Sequence, residues 1–99
     1  MTQFIQFAPT TSAVTTNPFY SDQYPTITVS ADNLSGVEIV HLYSVAGSTL
    51  DQVVDPITGT PINLTATVKS VALEGGPRYV FAKSATVAPC AVYVDPRER

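Results

Sequence analysis

The chain has little with which to do chemistry. Its 99 residues include one histidine, one cysteine and no tryptophan. A single cysteine excludes an internal disulfide, and Cys90, beside the apolar run of "VAPCAVYV", reads as a buried inert thiol. A catalytic Cys90 would need His41, the one histidine, as its base, and nothing in their spacing places the two together. No Gly-x-Ser-x-Gly elbow occurs. One His, one Cys and eight scattered carboxylates give no metal-ligand spacing. Paired carboxylates are compatible with glycoside chemistry, but a polysaccharide cleft is hard to build in 99 residues. The expectation is a protein that is not an enzyme and takes no metal or cofactor.

Charge is scarce as well. Asp, Glu, Lys and Arg make up 13% of the chain, against about 25% in ordinary globular proteins. The five cations (Lys69, Arg78, Lys83, Arg97, Arg99) are scattered and the net charge is −3. Nucleic-acid binding needs a positive footprint that this sequence lacks. No apolar run reaches membrane-spanning length, and "MTQFIQFAPTTSAV" has neither the cationic nor the long apolar region of a signal peptide. Neither nucleic acid nor membrane is therefore expected as a partner. A surface poor in Lys and Glu resembles the core of a protein interface.

What the chain does have is β-forming residues. Val and Thr are the commonest types, thirteen of each, and both suit pleated, half-buried surfaces. Eight prolines oppose long helices. "TITVSA" over 26–31 alternates cleanly, with Ile27, Val29 and Ala31 on one face. "DNLSG" over 32–36 is a turn. "VEIVHLYSVA" over 37–46 is a long strand with no clean polar face, as in a central strand or one touching a partner. "GSTLDQ" reads as a loop, and a hairpin tip follows around 58–61, with a return strand from Ile62. The apolar parity then shifts between Leu64 and Val71, which asks for a bulge or break near Lys69-Ser70.

"LEGGPRYVFAKS" over 73–84 poses a choice between a ligand-holding glycine loop and a turn. Phosphate loops lead into a helix, whereas "RYVFAK" alternates as a strand. Glu74-Gly-Gly-Pro77 is therefore read as a hairpin turn. A last strand over "CAVYV" ends at Asp95-Pro96, and a mixed-charge tail, Arg97-Glu98-Arg99, follows.

The fold class is thus all-β: a small antiparallel sandwich or barrel of about seven short strands. Residues 25–99 form the domain, and residues 1–24, rich in Thr, Pro and Ser, form an extended N-terminal arm or edge segment. Five tyrosines in so small a chain point to contact surfaces. The interface residues expected are Phe4, Phe7, Phe19, Tyr20 and Tyr24 on the arm, with His41 and Tyr43 on the long strand.

The C-terminal half, "VALEGGPRYVFAKSATVAPCAVYV", resembles in style the small, acidic, Thr/Val-rich virion proteins of tailed bacteriophages. The Pro/Thr arm is similar to those of capsid decoration, or cement, proteins. That resemblance implies a non-catalytic protein made in a bacterial cytoplasm and seated on the outer capsid. It implies the major capsid protein as partner, a homotrimeric state and a role bridging capsomers. No residue-level motif transfers. The competing reading is a sandwich recognition module from a tail or fibre, binding host glycan through exposed tyrosines or binding another structural protein. A sugar platform more often includes tryptophan.

Overall fold

The computed structural model describes residues 4–55 and 57–97, for Arg97 the backbone alone. The described residues form ten strands and no helix: β1 Phe4–Thr10, β2 Val14–Thr15, β3 Phe19–Tyr20, β4 Thr26–Ala31, β5 Ile39–Ala46, β6 Thr49–Gln52, β7 Asn63–Thr65, β8 Ser70–Glu74, β9 Arg78–Lys83 and β10 Cys90–Arg97. One sheet runs β1-β10-β4-β8 and is antiparallel throughout. In the other, β9 and β5 are central. β2 and β3 pair end to end along the free side of β9, and β6 and β7 along the free side of β5. Between β2 and β3, Thr16 keeps the edge joined: its N–H donates to Phe81 O and its hydroxyl accepts from Phe81 N, both at 3.0 Å.

The core lies between the two sheets. Ile27, Val29, Val92 and Val94 come from the first sheet, and Val40, Leu42, Leu64 and Phe81 from the second, all at 0% exposure. The alternation in "TITVSA" predicts this for β4, whose bounds agree with the sequence reading. Truncating Phe81 to alanine would cost about 3–5 kcal/mol, lost transfer energy and cavity together. The all-β class and the antiparallel arrangement are as expected; the strand count is higher than seven. "GSTLDQ" holds a strand, β6, closed onto β5 by a tight turn at Gly47-Ser48. Two of the sheet rows are also each broken into two short pieces.

Three expectations change in detail. Residues 4–20 do not stand apart as an arm: they supply an edge strand to each sheet, Phe4 facing Val94 and Phe19 facing Tyr79. The Thr- and Pro-rich composition reflects short edge pieces broken by irregular register, a usual way of blunting a sheet edge. Residues 1–3 of the expected arm and Glu98-Arg99 of the tail lie outside the described residues. The parity shift after Leu64 is a change of sheet: β7 belongs to the second and β8 to the first. The Thr65 hydroxyl accepts from Val68 N at 3.0 Å and shapes that crossing. The Gly-Gly turn likewise carries the chain from β8 in one sheet to β9 in the other, so it is a crossover and not a hairpin.

The loops at one end are tied together by side chains. Asp32 Oδ1 accepts from Ala91 N at 2.8 Å, and Asn33, at φ 58°, donates from Nδ2 to Pro89 O at 2.9 Å. Glu38 accepts from Ser35 N at 2.9 Å and from Val87 N at 2.8 Å. Those backbone donors, Ser35 first, pull its carboxyl below the ordinary value.

Candidate functional site

Two surfaces collect the residues picked out in the sequence. The first is a cleft of about 390 Å³ between the start of β1 and β3. Phe4 and Gln6 line it from β1, Phe19 and Tyr20 from β3, Asn17 and Pro18 from the segment before β3, and Gln23 and Tyr24 from the turn that leads to β4. The Phe4 and Phe19 rings meet at 5.7 Å and 54°. Phe19 and Tyr24 also pack against the core, which fixes one side of each. Tyr20 is 61% exposed, and the Arg78 guanidinium lies 5.7 Å from its ring centroid. That cation–π contact occupies one side of the ring.

The Gly-Gly-Pro turn holds the segment that brings Gln23 and Tyr24 to the cleft. Ser21 is fully buried; its hydroxyl donates to Pro77 O and accepts from Gly76 N at 3.0 Å. Ser21 O accepts from Gly76 N at 3.0 Å and from Tyr24 N at 3.1 Å, and Gly75 N donates to Pro25 O at 3.0 Å. A Cβ at Gly75 would lie 1.5 Å from Tyr24 O, so residue 75 must be glycine for steric reasons. Gly76, at φ 120°, must be glycine for conformational ones. Tyr79 seals the turn from within, its hydroxyl donating to Glu74 O at 2.6 Å. Burial, with the nearby Glu74 charge, raises that phenol's pKa. The question posed by "LEGGPRYVFAKS" thus resolves to architecture: the turn clamps residues 21–25 and thereby sets Tyr24.

The second surface is the outer face of the β9/β5 sheet. Val40 and Leu42 point inward, so Ile39, His41, Tyr43 and Val45 alternate outward. Their register partners are Val80, Ala82 and Arg78 on β9, Gln52 and Leu50 on β6, and Asn63 and Thr65 on β7. Among these, Arg78 carries the one formal charge. His41 and Tyr43 rings stand 6.3 Å apart at 34°. His41 faces Asn63 across the strands, and His41 Nδ1 and Asn63 Oδ1 are both buried without a hydrogen-bond partner.

Of the seven residues expected at an interface, Phe4, Phe19, Tyr20 and Tyr24 come together in the cleft. His41 and Tyr43 share the outer sheet face instead. Phe7 packs against the core, opposite Val92. Gln6, Asn17, Pro18 and Gln23 were not singled out; amides scattered in a loop give no sequence signal until the fold gathers them. Cys90 is fully buried between the sheets, whereas His41 lies on an outer face, so the fold does not assemble a Cys–His pair from them. Burial raises the thiol's pKa. Among the described residues, no three His, Cys, Asp or Glu side chains cluster as metal ligands would.

The sequence matches no protein-family model and no curated protein. In fold the chain is similar to the crystal structure of SPBc2 prophage-derived protein YomS, with a TM-score of 0.73. The match covers 94% of this chain and 88% of that one at 14% sequence identity. At that identity the likeness is one of fold.

Proposed function

We propose that this protein is a structural component of a tailed-bacteriophage virion. Its proposed seat is the outer capsid surface, where it binds the major capsid protein as a homotrimer and performs no catalysis. The observation that carries the reading is the near end-to-end fold likeness to a prophage-derived protein. The outer β9/β5 face supports an assembly role. It is nearly uncharged and rich in Ile39, Tyr43, Val45 and Leu50. A trimer would also bury area that a 99-residue core lacks.

The test has two parts. Light scattering coupled to size exclusion should give a mass near three times 10.5 kDa. Co-sedimentation with shells of the major capsid protein should be abolished by Tyr43→Arg on the outer face, with the fold unchanged. Binding that survives Tyr43→Arg would sink the outer-face assignment, and no binding to shells at all would sink the capsid role. Deleting residues 1–20 is not a usable probe, because it removes β1, β2 and β3 from the sandwich. The second reading, a recognition module, is favoured by one observation, the aromatic cleft.

A further inference from the structure

We infer that the cleft between β1 and β3 is a binding site for a neutral saccharide. Four aromatic rings, Phe4, Phe19, Tyr20 and Tyr24, and three side-chain amides, Gln6, Asn17 and Gln23, line it, with no charged side chain among the described lining residues. Its volume, about 390 Å³, falls in the 300–1,000 Å³ range of small-ligand sites. None of the three amides, nor the hydroxyls of Tyr20 and Tyr24, makes a hydrogen bond among the described residues, in contrast to Tyr79. The cleft therefore offers apolar ring faces together with unspent donors and acceptors.

A sugar ring matches that inventory. Its C–H faces stack on aromatic rings, and its hydroxyls each donate and accept. An amide carries both functions on one rigid group and so can engage two neighbouring hydroxyls. A nucleotide would also stack, but its phosphate would find no cation among the described lining residues, in a chain of net charge −3. A proline-rich peptide would use the rings, yet proline has a carbonyl and no N–H, so the amides' acceptors would stay idle. Arg78 lies against the ring of Tyr20 but is not itself among the lining residues, so the lining offers an acidic sugar no ion pair of its own. Tryptophan, the usual platform, is replaced by several smaller rings around a hollow. The site needs nothing from the capsid location proposed above.

The test is a glycan array of neutral and acidic oligosaccharides, probed with the full chain displayed multivalently on fluorescent beads so that weak sites register. The strongest neutral oligosaccharide is then titrated into the ¹⁵N-labelled chain. Saturable shifts are expected at the backbone amides of Gln6, Phe19, Tyr20, Gln23 and Tyr24. Tyr20→Ala, at a largely exposed position that leaves the remaining spectrum in place, should weaken binding about tenfold or more. Gln23→Leu should weaken it with the rings intact. No neutral glycan signal, shifts confined to other residues, or preference for acidic glycans would overturn the assignment. So would shifts at these amides produced by a proline-rich decapeptide and by no saccharide. Loss of shell binding in Tyr43→Arg would leave the saccharide shifts unchanged, so the two readings fail separately.

Discussion

Gly75→Ala is the substitution that most directly tests how the chain is held together. The new Cβ would meet Tyr24 O at 1.5 Å, Tyr24 C at 2.6 Å and Ser21 O at 3.0 Å. All three are backbone atoms, so no rotamer change relieves the clash. Ordinary contact begins near 3.4 Å, so the two segments must part by roughly 2 Å. That breaks Gly75 N to Pro25 O, Gly76 N to Ser21 and the Ser21 hydroxyl to Pro77 O. Each such bond contributes about 0.5–1.5 kcal/mol, and overpacking costs a further 1–3 kcal/mol or so. The expected loss is about 4 kcal/mol, a fall in Tm of about 15–30 °C for a domain of this size. Urea titration and calorimetry of both glycine variants provide the comparison. Gly76→Ala meets nothing within 4 Å and should cost only its backbone conformation at φ 120°, about 1–2 kcal/mol. A Gly75→Ala protein within 1 kcal/mol of the parent, or milder than Gly76→Ala, would refute the clamp.

Three further outcomes are expected. Lys83 is 4% exposed, and its ammonium donates to Ser84 O and Thr86 Oγ1, both at 3.3 Å. Lys83→Met keeps the volume and drops the desolvation cost, so urea unfolding should find it within about 1 kcal/mol of the parent or more stable; a loss above about 2 kcal/mol would refute this. The lowered Glu38 pKa makes the carboxylate stabilising above its unfolded value near 4.5, an advantage lost as pH falls through the folded pKa. Thermal melts should therefore separate the parent from Glu38→Gln at neutral pH and bring them together in acid; a gap that persists in acid points to lost packing instead. The raised pKa and burial of Cys90 predict no reaction with an aromatic disulfide reagent at about pH 8 in the native state, and one thiol per chain after denaturation. Native labelling within minutes would place the thiol at the surface.

Local patterns were readable and long-range ones were not. The period-2 alternation of "TITVSA" marks β4 because a half-buried strand imprints its pleat on the sequence, whereas central β9 is buried on both faces over Tyr79–Phe81 and is marked by its β-forming residues. Asn33 and the 32–36 turn were legible for the same local reason. Which sheet a strand joins depends on contacts far along the chain, so the parity break after Leu64 looked like a bulge, and the Gly-Gly-Pro turn like a hairpin. Composition suggested an arm over 1–24, yet the two-residue strands β2 and β3 exist only through their pairing with β9. The cleft was half legible. Aromatics at 19, 20 and 24 stood out in one segment, whereas Phe4 and the amides joined them only when β1 paired with β10.

The position of β10 between β1 and β4 also bears on how the protein is born. Phe4 pairs with Val94 and Thr26 with Arg97, so the strand that joins the first sheet is made after the other nine described strands. On the ribosome, β4 can pair with β8 and the second sheet can be completed once Lys83 has emerged, but β1 and the other edge of β4 wait unpaired until β10 follows. Contacts this distant in sequence predict folding in milliseconds to seconds, roughly, and not microseconds. A chain stopped short of Cys90 would lack the strand that bridges β1 and β4, and would offer their edges to other chains. Synthesis through Cys90–Arg97 is thus the step that turns a lone edge strand and a two-stranded ribbon into one sheet.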